Sequence, residues 1–346
     1  MNLSSVWNTV YPIIIAILFF ELVIIIHEAG HFGAARLMKI KVNEFSVGMG
    51  PKIFSFTKGQ TKYSLRWILF GGYCAMEGED EDSDDSGSFS KKSVGARMFV
   101  VAAGAIMNLI LGFLIVVCIV SSGDLIGTTT VAKFDDNAVS AASGLQAGDT
   151  IKSIDGMRVF TATDVETGLS RSPDGNVQMV VERDGENVSL DVKFDMQEYE
   201  GTQYINMDFW LLGEDKTVGG VFESSCGMFV SYMRMIFLSV ADLLSGRYGI
   251  SDLSGPVGAV SVVSTAVKTS FTSMLRIMAL LTINIGLFNL FPIPALDGWR
   301  FFMLIGEGIF KKKLPAKWEY IINAVGLVLL LGLMVVVTFS DVTKLF

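Results

Sequence analysis

Four long apolar segments limit what this chain can fold into more than any other feature of its sequence. Each is close to the roughly 20 residues that an α-helix needs to cross a hydrocarbon layer of about 30 Å. Their bounds are Val10–Ile26, Met98–Val120, Leu275–Phe291 and Ile321–Thr338. Since 51% of the 346 residues are apolar, the composition fits a chain that lies partly in lipid. We predict a polytopic α-helical membrane protein with about four transmembrane helices.

The positions of the positive charges predict how these helices are oriented. Ten Lys and Arg residues lie between residues 36 and 97 and five between residues 300 and 317, whereas none precedes the first apolar segment. Short loops rich in Lys and Arg stay in the cytoplasm. We therefore expect both termini and residues 123–273 to lie outside the cell. The first apolar segment has no basic leader and no small-residue cleavage site, so we interpret it as a retained helix rather than a signal peptide.

The outer segment is predicted to contain a water-soluble α/β domain. Residues 128–211 combine several short strand patterns with two short helical ones. Between Asp124 and Lys216 there are 18 acidic residues against 7 basic ones, and this excess of negative charge argues against nucleic-acid binding. The next segment, Val221–Thr272, has spaced apolar positions separated by polar ones. We predict that it forms amphipathic helices at the membrane interface.

The segment between the first two apolar stretches is predicted to form β-hairpins that lie against the membrane. Residues 40–90 alternate apolar and polar side chains and are interrupted by glycine pairs. Within this segment, the acidic run Glu77–Asp85 is predicted to be a solvated loop, with a partner-binding segment as the alternative.

A short motif in the first apolar segment predicts a metal site. His27-Glu28-Ala29-Gly30-His31 has the HExxH spacing, which places both imidazoles on one face of a helix. These are the only two histidines in the chain, and they lie at the cytoplasmic end of a helix in lipid, where ionisable groups are costly. We predict that His27 and His31 bind Zn²⁺. Glu28 would accept the proton of a water molecule that the metal activates.

The third metal ligand is predicted to be Asp297. A catalytic zinc usually has three protein ligands, and no further histidine is present. Pro292 and Pro294, directly after the third apolar segment, break its helix, which allows Asp297 to face inward at the side where the HExxH motif lies. By itself, an Asp before Gly298 could also be a helix cap.

Taken together, the motifs resemble those of the site-2 proteases, in particular the bacterial regulator-of-sigma-E protease type with one PDZ domain. The resemblance covers nearly the full length of the chain. It rests on HExxH, on Gly48-Met49-Gly50, on Asn108 in the second apolar segment, on Gly144–Asp149 followed by Ile154–Gly156, and on the NxxPxPxLDG pattern of Asn289–Gly298. For the Gly144–Asp149 phrase alone, a generic turn between strands is the alternative to a PDZ domain.

The resemblance implies a function and a location. Such a protein would be an intramembrane zinc endopeptidase of the bacterial plasma membrane that cuts single-span membrane proteins, such as anti-sigma factors or signal-peptide remnants. Cleavage usually follows removal of the substrate's outer domain by another protease. The PDZ domain would bind peptide termini by adding a strand to a sheet edge. The chain departs from the family pattern at Ala105 and Trp299, which leaves the local backbone geometry open.

Four further residues are predicted to contact the substrate: Asn108, Asn289, Gly48 and Gly50. Each asparagine could bind the substrate backbone or polarise the scissile carbonyl. Either could equally form a hydrogen bond between helices.

Two other classes of function remain as alternatives, a non-catalytic PDZ-containing membrane scaffold and a metal transporter. Transporters commonly contain repeated halves, and no repeat is evident in this sequence.

The predicted organisation, in chain order, is transmembrane helix 1 with HExxH (1–38), hairpin region and acidic loop (39–96), transmembrane helix 2 (97–123), PDZ domain (124–215), interfacial helices (216–273), transmembrane helix 3 with the LDG motif (274–298), cytoplasmic loop (299–317) and transmembrane helix 4 (318–346).

Overall fold

The apolar segments are helical in the computed structural model, which describes residues 3–79, 83–199, 202–247, 249, 253–312 and 315–344. The helices are α1 (Leu3–Leu37), α2 (Val94–Ser122), α3 (Val139–Ala142), α4 (Ala162–Ser170), α5 (Val218–Leu244), α6 (Pro256–Thr269), α7 (Phe271–Phe288), α8 (Asp297–Phe310) and α9 (Ala316–Lys344). The strands are β1 (Val42–Lys58), β2 (Thr61–Met76), β3 (Ile126–Phe134), β4 (Thr150–Ile154), β5 (Met157–Arg158), β6 (Asn176–Arg183), β7 (Glu186–Lys193), β8 (Met196–Tyr199), β9 (Thr202–Ile205) and β10 (Phe209–Glu214).

Two compact units make up the chain. Residues 1–115 and 240–346 form one unit, here called the helical unit, and residues 116–239 form the other, here called the sheet unit. The sheet unit is larger than the predicted domain of residues 124–215 because the end of α2 and most of α5 group with it.

The described residues include five helices that are long and apolar enough to cross a membrane, one more than the four predicted. The additional helix is α5; the others are α1, α2, α7 and α9. The break after α7 is confirmed, since α7 ends at Phe288 and α8 begins at Asp297. Much of the segment predicted as a loop at 299–317 is helical, because it contains α8.

The contacts of α5 favour an interfacial helix. The hydroxyls of Ser231 and Thr161 lie 2.9 Å apart, and Arg234 forms an ion pair with the buried carboxylate of Asp164. A helix that uses the polar side chains of its middle to contact a sheet domain is better suited to lie along that domain than to cross lipid. The amphipathic role of this segment therefore stays our prediction.

Glycines bring the helices of the helical unit into close contact. A Cβ atom at Gly30 of α1 would lie 2.4 Å from the carbonyl oxygen of Ala103 in α2. A Cβ at Gly112 of α2 would lie 2.5 Å from Ile283 of α7. Small residues let helix backbones approach each other, which matters in lipid because the hydrophobic effect does not drive helices together there.

Strands β1 and β2 form the predicted hairpin. They are antiparallel and irregular in register, and Gly48 and Gly50 of β1 have positive φ angles of 80° and 79°. The far part of the hairpin exposes large apolar side chains next to lysines and an arginine, as expected at a membrane interface. The exposed apolar residues include Ile53, Phe54, Phe56, Trp67 and Ile68.

An ion-pair network fixes Glu44 near the start of the hairpin. Its carboxylate accepts hydrogen bonds from Ser64 and from Arg66, the latter at 2.9 Å. Burial would raise the pKa of the Glu44 carboxyl, but these hydrogen bonds outweigh it and lower the pKa to about 2.

The described part of the acidic run is attached to the helical unit rather than simply solvated. Lys41 pairs with Asp85 at 3.0 Å, and Glu79 accepts a hydrogen bond of 2.5 Å from Arg300 in α8. Residues 80–82 of the run lie outside the described residues.

Helix α8 is also held at its far end. Glu307 forms a bidentate ion pair with Arg97 of α2, with nitrogen-to-oxygen distances of 2.6 and 3.0 Å. The two side chains are only 16% and 8% exposed, so the pair is shielded from water. Its loss would leave a nearly buried guanidinium without its carboxylate.

The sheet unit combines strands with short helices, the mixed α/β content predicted for residues 128–211. Strands pair in the order β10-β3-β4-β6-β7, and β5 pairs with β4. Helix α4 begins with a capping box formed by Thr161 and Asp164. The core of the sheet unit contains Ile151, Val165 and Met179, all fully buried.

We expect Gly30→Ala to lower the thermal stability of the protein. The added Cβ would meet backbone atoms of α2, so the two helices must separate. Overpacking of this kind typically costs about 1–3 kcal/mol. The measurement is the unfolding temperature in detergent. Gly33→Ala is the matched control, because a Cβ at Gly33 has no neighbour within 4 Å. Equal unfolding temperatures for the two variants would contradict the close packing of α1 on α2.

Candidate metal centre

Helix α1 brings the two histidines together. His27 and His31 lie four residues apart on one face, and their Nε2 atoms are 3.1 Å from each other. The side chains are 12% and 10% exposed, so both rings are largely shielded.

The first residue of α8 places a carboxylate against both rings. Asp297 Oδ2 lies 2.9 Å from His27 Nε2 and 3.2 Å from His31 Nε2. The residue before it, Leu296, is the N-cap of α8, so the alternative that Asp297 is itself the cap is not what the structure has. Its position in the first turn also places its negative charge at the positive end of the helix dipole.

The separations of the three donor atoms are close to those of ligands around one zinc ion. Two ligands at about 2.0 Å from a tetrahedral zinc lie about 3.3 Å apart. The separations of 2.9, 3.1 and 3.2 Å among the two Nε2 atoms and Oδ2 are close to that value. Among the described residues, His27, His31 and Asp297 are the one group of histidine, cysteine and acidic side chains close enough to share a metal ion. Two imidazoles and a carboxylate are a common ligand set of catalytic zinc.

A backbone carbonyl fixes the orientation of His31. The Nδ1 atom donates to the carbonyl oxygen of Val100 at 2.9 Å, so the proton of the neutral ring is on Nδ1. The Nε2 lone pair is then free for a metal. Metal-bound histidines almost always donate their other ring N–H in this manner.

The amide of Asn108 does the same for His27 in one of its two orientations. Asn108 is fully buried, and its Nδ2 lies 3.4 Å from His27 Nδ1, while its Oδ1 has no hydrogen-bond partner among the described residues. Rotation of the amide by 180° exchanges the two atoms. Oδ1 then accepts from the protonated Nδ1, and His27 Nε2 is free for a metal. Because a buried amide oxygen normally has a hydrogen-bond partner, this second orientation is the better satisfied one for Oδ1. It is also the orientation in which His27 can bind a metal through Nε2.

Glu28 lies on the side of α1 that faces β2. A Cβ atom at Gly72 would lie 3.4 Å from Glu28 Cγ and 2.9 Å from the carbonyl oxygen of Ser46. Glycine at this position therefore lets the strand pass close to Glu28. The carboxylate is not one of the three clustered donor groups, which leaves it available for proton transfer.

The other predicted substrate-contacting residues lie elsewhere. Asn289 is the C-cap of α7, eight residues before Asp297. Gly48 and Gly50 lie in β1, where their positive φ angles and the closeness of Arg66 and Ile68 explain why glycine is needed. Contact of these three residues with substrate stays a prediction.

Gly104 is a residue of the site that none of the sequence motifs includes. A Cβ atom there would lie 2.4 Å from His31 Nε2 and 2.8 Å from His27 Nε2. The only available signal was the run of small residues around it in an otherwise bulky helix, Ala102–Ala105.

A cavity of about 500 Å³ adjoins the carboxylate. Polar and charged side chains form much of its wall, so water can reach Asp297 from this side. The lining residues are Glu79, Ala295, Leu296, Asp297, Arg300, Glu319, Tyr320 and Asn323.

Comparison with known proteins shows one family over nearly the whole chain. The model of peptidase family M50 matches residues 15–333. A Clostridium perfringens protein named as a candidate zinc metalloprotease is 34% identical, over 95% of this chain and 98% of its own length. The regulator of sigma-W protease RasP of Bacillus subtilis is 26% identical, over 97% of this chain and 99% of its own length.

A solved structure is similar to a smaller part of the chain. The PDZ domain of an SdrC-like protein from Listeria monocytogenes is 23% identical and aligns with 26% of this chain and 90% of its own length. The TM-score is 0.20, which is too low to establish a shared fold.

We expect Gly104→Ala to weaken zinc binding by about 10–100-fold, the range typical of changes next to metal ligands. The added methyl group would displace the Nε2 atoms of both histidines. The measurement is competition for zinc with a chelator of known affinity. Gly95→Ala, on the same helix and with no neighbour within 4 Å of the new Cβ, is the matched control and should bind zinc like the parent. Unchanged zinc affinity in Gly104→Ala would mean that the histidines are not held against α2.

Proposed function

Because the chain belongs to peptidase family M50, we propose that it hydrolyses a peptide bond within the transmembrane segment of single-span membrane proteins. It is a membrane zinc metalloprotease. The observation that carries the proposal is the meeting of His27 Nε2, His31 Nε2 and Asp297 Oδ2 at separations of 2.9–3.2 Å. We assign these three residues to the metal.

Each residue of the centre has a distinct task in this proposal. When bound, zinc would supply a Lewis acid and a water molecule of lowered pKa. The two neutral imidazoles orient the ion, and the negative charge of Asp297 offsets part of its positive charge. Glu28 takes a proton from the attacking water and delivers it to the leaving amine nitrogen. Its neighbour Gly72 keeps space open beside that carboxylate.

Asn108 is assigned two roles that one orientation of its amide permits. With Oδ1 accepting from His27 Nδ1–H, the amide Nδ2 is free to donate to a carbonyl oxygen of the substrate. A donor placed in advance at this position would stabilise the negative charge that develops on that oxygen. Asn289 is a second candidate for contact with the substrate backbone, and Gly48 and Gly50 are candidates on the hairpin.

The sheet unit is assigned to substrate selection. We propose that it contains a PDZ domain, that residues 124–215 lie outside the plasma membrane, and that the metal centre lies towards the cytoplasm. Strand β10 is at the end of the sheet order, and an edge strand can accept an extended peptide. Peptide termini left after a first cleavage are suitable ligands. The name of the Bacillus subtilis relative, a regulator of sigma-W protease, supports anti-sigma factors as one class of substrate.

We expect Glu28→Gln to abolish cleavage while zinc stays bound. The amide cannot accept a proton, and loss of a general base typically costs about 10²–10⁴-fold in rate. The measurements are cleavage of a model single-span substrate in liposomes and zinc content by metal analysis. Asp297→Ala is the contrasting variant, because it should bind zinc much more weakly, through the two histidines alone, and lose activity. Glu28→Gln activity within tenfold of the parent would show that another group is the base.

Two substitutions at Asn108 separate its proposed roles. Asn108→Asp keeps an oxygen that accepts from His27 but lacks the donor, so zinc should stay bound while kcat falls by about 10²–10³-fold. Asn108→Leu removes both atoms, so zinc affinity should fall as well, by about 10–100-fold. If Asn108→Leu binds zinc as tightly as the parent, the amide does not orient His27. Full activity in Asn108→Asp would exclude the donor role.

A further inference from the structure

The position of Asp297 depends on the loop that joins α7 to α8. The loop comprises residues 289–296 and contains Pro292 and Pro294, which have no N–H to donate. Within it, the N–H of Ile293 donates to Phe291 at 2.7 Å and that of Leu296 donates to Ile293 at 3.1 Å. These local bonds shape the loop but do not attach it to another element.

A side chain of α9 attaches the loop to a third helix, besides the α7 and α8 that the loop joins. The N–H of Ala295 donates to Oδ1 of Asn323 at 3.3 Å. Ala295 has a φ angle of 73°, in the left-handed region that is unfavourable for a residue with a Cβ atom. Such a conformation persists only where the surroundings hold it. The hydrogen bond from Asn323 can hold Ala295 in this conformation. Ala295 lies two residues before Asp297, so its conformation affects where the carboxylate is placed.

A glycine on the same face of α9 lets the helix reach the loop. Gly326 follows Asn323 by three residues, so both lie on one side of the helix. A Cβ at Gly326 would lie 2.3 Å from Cβ and 2.9 Å from the backbone oxygen of Pro294. The helix and the loop are thus in backbone contact at Pro294 and hydrogen-bonded at Ala295.

Most of the apolar side chains that follow Gly326 in α9 are exposed, so the contact with the loop is one of the few that this helix makes. Leu327, Val328 and Leu329, directly after Gly326, are at least half exposed. At the far end, the buried Asp341 accepts hydrogen bonds from the N–H groups at the start of α6. Helix α9 is therefore held near its C-terminal end by α6. Near its start, Glu319 lies 3.8 Å from Arg300 of α8, so this end of α9 lies against the helix that begins with Asp297.

We propose that Asn323 and Gly326 are positioning residues that set the loop so that Asp297 reaches the two histidines. The proposal rests on the proposed function, in which Asp297 is a zinc ligand. Neither residue is one of the three clustered donor groups. They act through Ala295 and Pro294, which lie two and three residues before Asp297.

The test measures zinc affinity by chelator competition in the full-length protein. We expect Asn323→Ala and Gly326→Ala each to weaken zinc binding by about tenfold or more, as loss of residues that orient ligands typically does. Asn323→Asp keeps the acceptor oxygen and should bind zinc within about threefold of the parent. Gly332→Ala is the matched control on α9, because a Cβ there has no neighbour within 4 Å.

A double-mutant cycle distinguishes positioning from general stability. If Asn323 acts through Asp297, then Asn323→Ala should have no further effect on zinc affinity in an Asp297→Ala background. Additive losses in the cycle, or parental zinc affinity in both Asn323→Ala and Gly326→Ala, would overturn the inference. If Asp297→Ala alone keeps parental zinc affinity, the assignment of Asp297 as a ligand fails, which is a separate result. Should Gly326→Ala not fold, the Asn323 variants decide, since they remove only one hydrogen bond.

Discussion

The structure depends on bringing one carboxylate and two imidazoles within about hydrogen-bonding distance inside a bundle of apolar helices. Asp297 Oδ2 lies 2.9 and 3.2 Å from the two Nε2 atoms, and all three side chains are at least partly shielded. Groups of this kind are costly to remove from water unless they are paired or bind a metal. Each therefore has its own support: Val100 for His31, Asn108 for His27, and the loop before α8 for Asp297.

Glycines allow the supporting helices and the loop to pack closely around the centre. Glycine inside a helix costs about 1 kcal/mol relative to alanine, so its use at contacts needs a reason. At Gly30 and Gly104 the reason is the approach of α1 to α2, and at Gly326 it is the approach of α9 to the loop. In lipid, this close van der Waals contact is what holds helices together, since water is not there to be displaced.

Much of the centre could be predicted because its information is local. The spacing of His27 and His31 specifies a face of one helix, and Pro292 and Pro294 specify where the next helix must break. Gly104 and Asn323 could not be identified in this way, because their contacts join residues far apart in sequence. The hydropathy of α5 likewise does not reveal that Ser231 and Arg234 contact the sheet domain. The pairing of Glu307 with Arg97 is likewise a contact between residues far apart in sequence, so the sequence does not reveal it.

The pairing of Glu307 explains why α8 can hold its first residue still. A helix anchored only at Asp297 could tilt about that point, and a tilt of its first turn would move Oδ2 away from the histidines. Arg97 holds the last turns against α2, and Glu79 holds Arg300 one turn after Asp297. Since α2 also carries Gly104 and Asn108, the same helix that packs against the histidines fixes the helix that carries the carboxylate. Helix α2 therefore contacts both parts of the centre: the two histidines directly, and the helix that carries Asp297 through Arg97.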